Sequence, residues 1–167
     1  MPEHTYQIEI SGLKFRVEYE RDNDMGAPWK EHDGHGPVSG WENRNKKPSE
    51  LVLTEDGRSK RFYDFQEAVK IALRDGWDAK PYNTGNETKR QQAAKAARAD
   101  FEHLRAWCAD EWHWYDITVT LLDDDGGKTD TCDSCGGYAS DDEEYLAASA
   151  HIMALALAER VNKEADY

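Results

Sequence analysis

A chain of 167 residues, 38% hydrophobic and 11% aromatic, is long enough to bury one hydrophobic core. Its charged fraction of 33% is typical of disordered segments, but six Trp, eight Tyr and four Phe supply anchors that such segments lack, so we expect the chain to fold. No apolar stretch is long enough to cross a bilayer, and three cysteines do not make the even set of a disulfide-stapled secreted protein. We therefore predict a single domain over residues 1–167, located in a reducing cytoplasm without membrane contact.

Alternating apolar residues at 6–19, broken by a Ser-Gly pair, predict a β-hairpin. An irregular loop over residues 21–48 follows, rich in glycine and proline. A second hairpin is expected around a turn at residues 55–57. It leads into a helix that Asp64 caps and Gly76 ends.

A linker over residues 80–86 precedes a long helix, predicted from about residue 87 to 110 by apolar spacings of three and four. Residues 113–122 alternate again and predict a strand, and residues 123–127 are typical of a hairpin tip. We expect the last helix to begin near Ser140, with the serine hydroxyl as its cap. These elements predict the α+β class, with an antiparallel sheet of about four to six strands packed by three helices.

The formal net charge of −13 is concentrated in one acidic segment, residues 110–144. That segment holds twelve acidic residues against one base, Lys128, whereas residues 1–109 hold 19 acidic against 18 basic residues. Because such a segment repels phosphate backbones, we expect no direct nucleic-acid binding and look instead for a basic protein surface as the partner. The alternative explanation is that the charge serves solubility alone. The candidate partner-binding residues are Asp123, Asp124, Asp125, Asp130, Asp133, Asp141, Asp142 and Glu143.

The loop over residues 21–48 carries a second candidate site, because it places two imidazoles and two carboxylates within five residues. Such groups can share a metal ion, or a histidine among them can act as a general base. The spacing does not match a structural zinc motif, so the competing interpretation is a structural loop whose histidines bond to backbone groups. The candidate residues of this loop are Trp29, His32, Asp33, His35 and Trp41.

Cys132 and Cys135 form a single CxxC pair, which is half of a zinc site and also a redox motif. Without a second pair, a four-ligand zinc site would have to recruit His32 and His35. Nearby acidic residues raise a thiol pKa, which argues against redox catalysis. Because no phosphate loop, nucleophile elbow, kinase signature or metalloprotease motif is present, we favour a protein that is not an enzyme and assign no catalytic residue, metal or cofactor.

The string over residues 24–39, which contains Gly-Ala-Pro-Trp-Lys-Glu-His-Asp-Gly-His-Gly, resembles the opening signature of a family of small uncharacterised proteins of tailed bacteriophages and prophages. The resemblance extends through Tyr63-Asp64-Phe65, Asp75-Gly76-Trp77, Leu104-Arg105-Ala106-Trp107-Cys108 and Glu144-Tyr145-Leu146. It implies a phage genome expressed in the cytoplasm of a bacterial host cell.

In that setting we expect an interaction protein that binds and inhibits a host factor. A nucleic-acid-binding defence component is one such partner, which would make the chain an anti-CRISPR or anti-restriction protein that uses its acidic surface as a DNA mimic. One alternative is a small metal-dependent or hydrolytic domain that uses His32, Asp33 and His35. Another is a phage accessory protein with a structural role.

Overall fold

The computed structural model describes residues 1–78 and 84–165, so most of the predicted linker at 80–86 lies outside the described residues. The described residues form six strands and four helices. In chain order these are β1 (His4–Ile10), β2 (Leu13–Arg21), α1 (Pro28–Glu31), β3 (Glu50–Asp56), β4 (Ser59–Asp64), α2 (Phe65–Asp75), α3 (Lys89–Cys108), β5 (Trp114–Leu122), β6 (Lys128–Ala139) and α4 (Glu143–Ala165). The predicted α+β class is confirmed.

The contacts within the chain divide it into two compact units. Unit 1 combines Met1–Met25 with Trp112–Tyr167, and unit 2 is the continuous segment Gly26–Glu111. The single domain expected over residues 1–167 stays a prediction. Among the described residues, no helix has both the length and the apolar character that crossing a membrane requires.

Unit 1 is a four-stranded antiparallel sheet in the order β1-β2-β5-β6, packed by α4. The predicted first hairpin is confirmed, and it turns at Ser11 (φ 53°) and Gly12 (φ 81°). Two consecutive positive φ angles are the geometry of the tight turn that matches the twist of the two strands. Because β1 and β6 end the order, these two strands are the sheet edges.

One face of this sheet carries the core of unit 1. Alternate residues of β2 and β5 are fully buried on it, and α4 covers them with an apolar stripe. The buried residues of the cluster include Phe15, Val17, Ile117, Val119, Leu146, Ala150, Met153 and Leu157.

The predicted Ser140 cap of the last helix is wrong. The helix begins at Glu143, and the backbone N–H of Tyr145 donates to Asp142 Oδ1 at 3.2 Å. Ser140 instead continues the ladder between β5 and β6, since its N–H donates to the His113 carbonyl at 2.8 Å and its hydroxyl accepts from the His113 N–H at 2.9 Å. A hydroxyl that already accepts from a strand residue is not placed to cap a helix that starts three residues later.

Unit 2 pairs β3 with β4 and packs α2 against α3. The predicted hairpin and the predicted caps of α2 are confirmed, since Asp64 accepts from the Glu67 N–H at 3.1 Å and Gly76 ends the helix in the left-handed conformation. The long helix begins later than residue 87, because a capping box of Thr88 and Gln91 fixes its first turn.

The long loop of unit 2 contains the one-turn helix α1, which raises the helix number to four. The loop then runs beside β4, where Val38 bridges to Tyr63 and Glu42 bridges to Lys60. It therefore has a defined path along the hairpin, set by backbone pairing in two places.

Candidate functional site

The net charge of the protein belongs to unit 1. Unit 1 holds 19 acidic residues against 6 basic ones, whereas unit 2 holds 15 of each. Ten of the twelve acidic residues of segment 110–144 belong to unit 1, and the other nine acidic residues of that unit lie outside the segment. A field of one sign extends over a whole folded body and is felt by charged partners at the distance of a Debye length, about 8–10 Å in physiological salt.

The eight candidate partner-binding residues lie along β6 and at its two ends, and all eight are exposed. Three of them form the tip of the hairpin that precedes β6, two lie within the strand, and three follow it at the start of α4. A strand of 12 residues spans about 35–40 Å at roughly 3.3 Å per residue. We call this set the acidic edge: Asp123, Asp124, Asp125, Asp130, Asp133, Asp141, Asp142 and Glu143.

Some carboxylates of the acidic edge also stabilise the local backbone. Asp123 Oδ1 accepts from the N–H groups of Asp125 and Gly127 at 2.9 and 2.7 Å, which closes the hairpin tip. Asp133 accepts from the Ser134 N–H, and Asp142 accepts from the first turn of α4. These three residues therefore have a local structural role in addition to their place in the acidic edge.

The one base of the acidic segment does not neutralise the edge. Lys128 Nζ lies 2.5 Å from Glu18 Oε1 on β2, a carboxylate outside the acidic edge that is only 14% exposed. Lys128 therefore offsets the charge of Glu18 on the inner strand β2. The carboxylates along β6 keep a net negative charge.

The second candidate site, in the loop of unit 2, is built around a residue that the sequence did not indicate. Asp100 of α3 accepts hydrogen bonds through both carboxylate oxygens: His35 Nδ1 lies 2.6 Å from Oδ1, and the Gly36 N–H and the Tyr63 hydroxyl each donate to Oδ2 at 2.8 Å. Tyr63 is fully buried. Burial, with the adjacent Asp100 charge, raises the pKa of Tyr63 well above its usual value, so its hydroxyl stays a donor.

The other residues of the predicted loop site do not gather around His35. His32 and Asp33 are exposed. Trp29 packs edge-on against Trp107 at 5.7 Å, and the Arg61 guanidinium lies 5.5 Å from the Trp29 ring and 4.8 Å from the Trp41 ring. These contacts attach the loop to α3 and β4. A catalytic or metal-binding role for the loop stays a prediction.

The two cysteines of the CxxC pair lie on opposite faces of the sheet of unit 1. Cys132 pairs with Thr120 and Cys135 with Ile117 in an uninterrupted stretch of β6, and residues three apart in a regular strand point in opposite directions. They are therefore not neighbouring ligands of one zinc ion. Within residues 1–78 and 84–165, no three His, Cys, Asp or Glu side chains lie close enough to hold a metal ion.

Sequence reasoning also missed a contact between two carboxyl groups in unit 1. Glu20 and Asp116 are opposite each other in β2 and β5, and the Asp116 carboxyl bonds to that of Asp22, just after β2. Burial, together with the bond to Asp22 and its charge, raises the pKa of Asp116 to about 6. The pairing register creates this contact, so periodicity alone does not reveal it.

We expect Asp116→Asn to stabilise unit 1 by about 1–2 kcal/mol at pH 7.5, since two pKa units correspond to about 2.7 kcal/mol and partial solvent exposure reduces that figure. A folded-state pKa above the ordinary 3.8 means that protonated Asp116 stabilises the fold below pH 4, and that this contribution is lost as the pH rises through about 6. Urea unfolding at pH 4.5, 6 and 7.5 measures the effect. The exposed Asp124→Asn is the control, and equal gains at all three pH values would refute the assignment.

No protein-family model matches this chain, and no curated protein or solved structure matches it either. The function of the acidic edge therefore has to be argued from its own geometry and charge.

Proposed function

We propose that this protein is an interaction protein that uses the acidic edge of unit 1 to bind a basic surface of another protein, one that otherwise holds a nucleic acid. The observation that carries the proposal is the placement of charge. All of the formal net charge falls in one unit, and eight exposed carboxylates follow a single sheet edge.

The dimensions of the acidic edge support a nucleic-acid-binding surface as its partner. One strand of duplex DNA carries a phosphate about every 3.4 Å, so an edge of about 35–40 Å is as long as roughly ten nucleotides. A partner that binds such a backbone presents Lys and Arg side chains over a similar length, and these can pair with the carboxylates of the acidic edge. Charge complementarity of this kind raises the association rate and selects among partners more than it adds affinity.

The resemblance to proteins of tailed phages suggests the class of protein to which the partner belongs. A phage protein in a bacterial cytoplasm benefits from occupying the nucleic-acid groove of a host defence factor, which would make this chain an anti-CRISPR or anti-restriction protein. Two features support a defence factor as the partner: the residues of the loop signature and the negative charge of unit 1.

The test is a pull-down from bacterial lysate with the tagged protein at 50 and 500 mM salt, followed by mass spectrometry. We expect wild type to recover a nucleic-acid-binding protein at low salt only, and duplex DNA to displace it. The edge variant Asp124→Asn/Asp125→Asn/Asp130→Asn removes three carboxylates for which no hydrogen bond to the backbone is found among the described residues. It should bind the purified partner about tenfold more weakly, since each lost charge at the rim of an interface costs a few tenths of a kcal/mol or more.

The matched control removes three exposed carboxylates elsewhere in unit 1, as Glu9→Gln/Glu159→Gln/Glu164→Gln. It changes the net charge by the same amount and should keep affinity within about twofold. Equal losses in both variants would mean that only overall charge matters, and unchanged binding in the edge variant would reject the acidic edge as the contact surface. Charges on an edge strand also prevent sheets from pairing edge to edge, so the oligomeric state of each variant is measured first.

A further inference from the structure

The helix α2 of unit 2 buries its small side chains and leaves its large ones partly exposed. Ala68 and Ala72 are fully buried. Phe65, Val69 and Leu73 recur every four residues on another stripe of the helix, where Phe65 and Val69 are half-buried and Leu73 is 48% exposed. Phe65 and Val69 pack partly against the core of unit 2, and the part of the stripe that stays exposed is apolar surface that a ligand could bury.

This partly exposed stripe forms one wall of a groove in unit 2. The groove has a volume of about 660 Å³ and lies between β3, α2 and the start of α3. Leu51, Pro48 and Ala94 complete its apolar lining. Pockets of roughly 300–1,000 Å³ with mainly apolar walls and a few polar groups are typical of small-molecule sites.

Two cations line the groove, one from each helix. Within the described part of the chain, Lys70 of α2 makes only a long ion pair with Glu67, at 3.9 Å and with both side chains at least half exposed. Arg90 of α3 makes no ion pair with any residue that the structure describes, and it is exposed. Both cations are therefore available to an anionic group in the groove.

Among the described residues that line the groove there is one carboxylate, Glu50, and it is already paired with Arg44. Glu50 is buried and receives two hydrogen bonds of 2.8 Å from the Arg44 guanidinium, one to each oxygen, as well as the Lys47 N–H. The hydrogen bonds from Arg44 hold the pKa of Glu50 at about 2, well below its usual range. It does not compete for Lys70 or Arg90.

From this combination of apolar walls and two available cations, we propose that the groove of unit 2 binds a small amphipathic anion, with its apolar body against α2 and its carboxylate or sulfonate between Lys70 and Arg90. This site is independent of the acidic edge. Its failure or success says nothing about the partner of unit 1.

The test uses 8-anilinonaphthalene-1-sulfonate, an aromatic body with one sulfonate, and measures its fluorescence on titration into the full chain. We expect saturable binding at one site. Decanoate should displace the probe at a concentration at least fivefold lower than 1-decanol does, because only decanoate carries the anionic group. Equal potency of the two competitors would overturn the proposal, as would an absence of saturable binding.

Variants locate the site. Lys70→Glu/Arg90→Glu should weaken probe binding at least fivefold, and Leu73→Asp should do the same by charging the wall. Lys46→Glu/Arg58→Glu reverses two exposed cations of unit 2 that do not line the groove, and it should leave the affinity within twofold. If Lys70→Glu/Arg90→Glu lacks the wild-type circular dichroism spectrum, Lys70→Gln/Arg90→Gln replaces it. Binding that none of the groove variants weakens would reject the site.

Discussion

Replacing Asp100 with alanine should destabilise unit 2 by about 2–4 kcal/mol, because one side chain on α3 bonds to three groups from the loop and β4. His35, the Gly36 N–H and the Tyr63 hydroxyl all lose their partner at once. The Tyr63 hydroxyl would keep only the Ala97 carbonyl oxygen, 3.2 Å away. Leaving buried donors without an acceptor costs more than the bonds themselves contribute in the folded protein.

The measurement is the free energy of unfolding in urea, with Asp56→Ala as the control. Asp56 is exposed at the end of β3, so its loss should change stability by less than about 0.5 kcal/mol. Asp100→Asn should fall between the two, because its amide oxygen still accepts one of the bonds. A loss below about 0.5 kcal/mol for Asp100→Ala would show that water replaces the carboxylate and that the loop does not depend on it.

Gly36→Ala should destabilise unit 2 by about 3 kcal/mol, at the upper end of what overpacking costs. A methyl group at this position would lie 2.4 Å from the Tyr63 hydroxyl oxygen and 2.5 Å from the ring carbon that bears it. Both distances are well inside van der Waals contact. Tyr63 is fully buried and packs against Phe101 with ring centres 5.5 Å apart, so it cannot move aside without disturbing the core.

Gly40→Ala is the matched control in the same loop. A methyl group there meets nothing within 4 Å, and neither glycine has a positive φ. The two variants therefore differ mainly in the room available to the new methyl group. We expect Gly40→Ala to leave the stability unchanged or to raise it by a few tenths of a kcal/mol, because alanine lowers the conformational entropy of the unfolded chain. Thermal unfolding of the two proteins side by side gives the comparison, and similar melting temperatures would contradict the close contact with Tyr63.

These two predictions bear on the loop over residues 21–48. The contacts of His35 and Gly36 are with Asp100, which is largely buried, and with Tyr63, which is fully buried. His35 bonds to a side-chain carboxylate rather than to the backbone groups that the structural interpretation expected, and a catalytic role for the loop stays a prediction.

Local patterns were enough to determine most elements of the fold. The alternation before and after the Ser-Gly pair predicted the first hairpin, and Asp64, Glu67 and Gly76 predicted the limits of α2. Such signals work because strand and helix periods and caps depend on residues a few positions apart. The acidic segment was visible for the same reason, since its charges are close in sequence.

Contacts between residues that are far apart in the sequence could be known only from the tertiary structure. Asp100 is one of 34 acidic residues and has no local signal, yet it anchors the loop from 65 positions away. The contact of Asp116 with Asp22, the opposite directions of Cys132 and Cys135, and the attachment of Ser140 to the sheet all follow from strand pairing. The division of charge between a strongly acidic unit 1 and a neutral unit 2 arises because the chain leaves unit 1 after residue 25 and returns to it at residue 112. Which residues share a sheet depends on the lowest free energy of the whole chain, and no window of neighbouring residues contains that information.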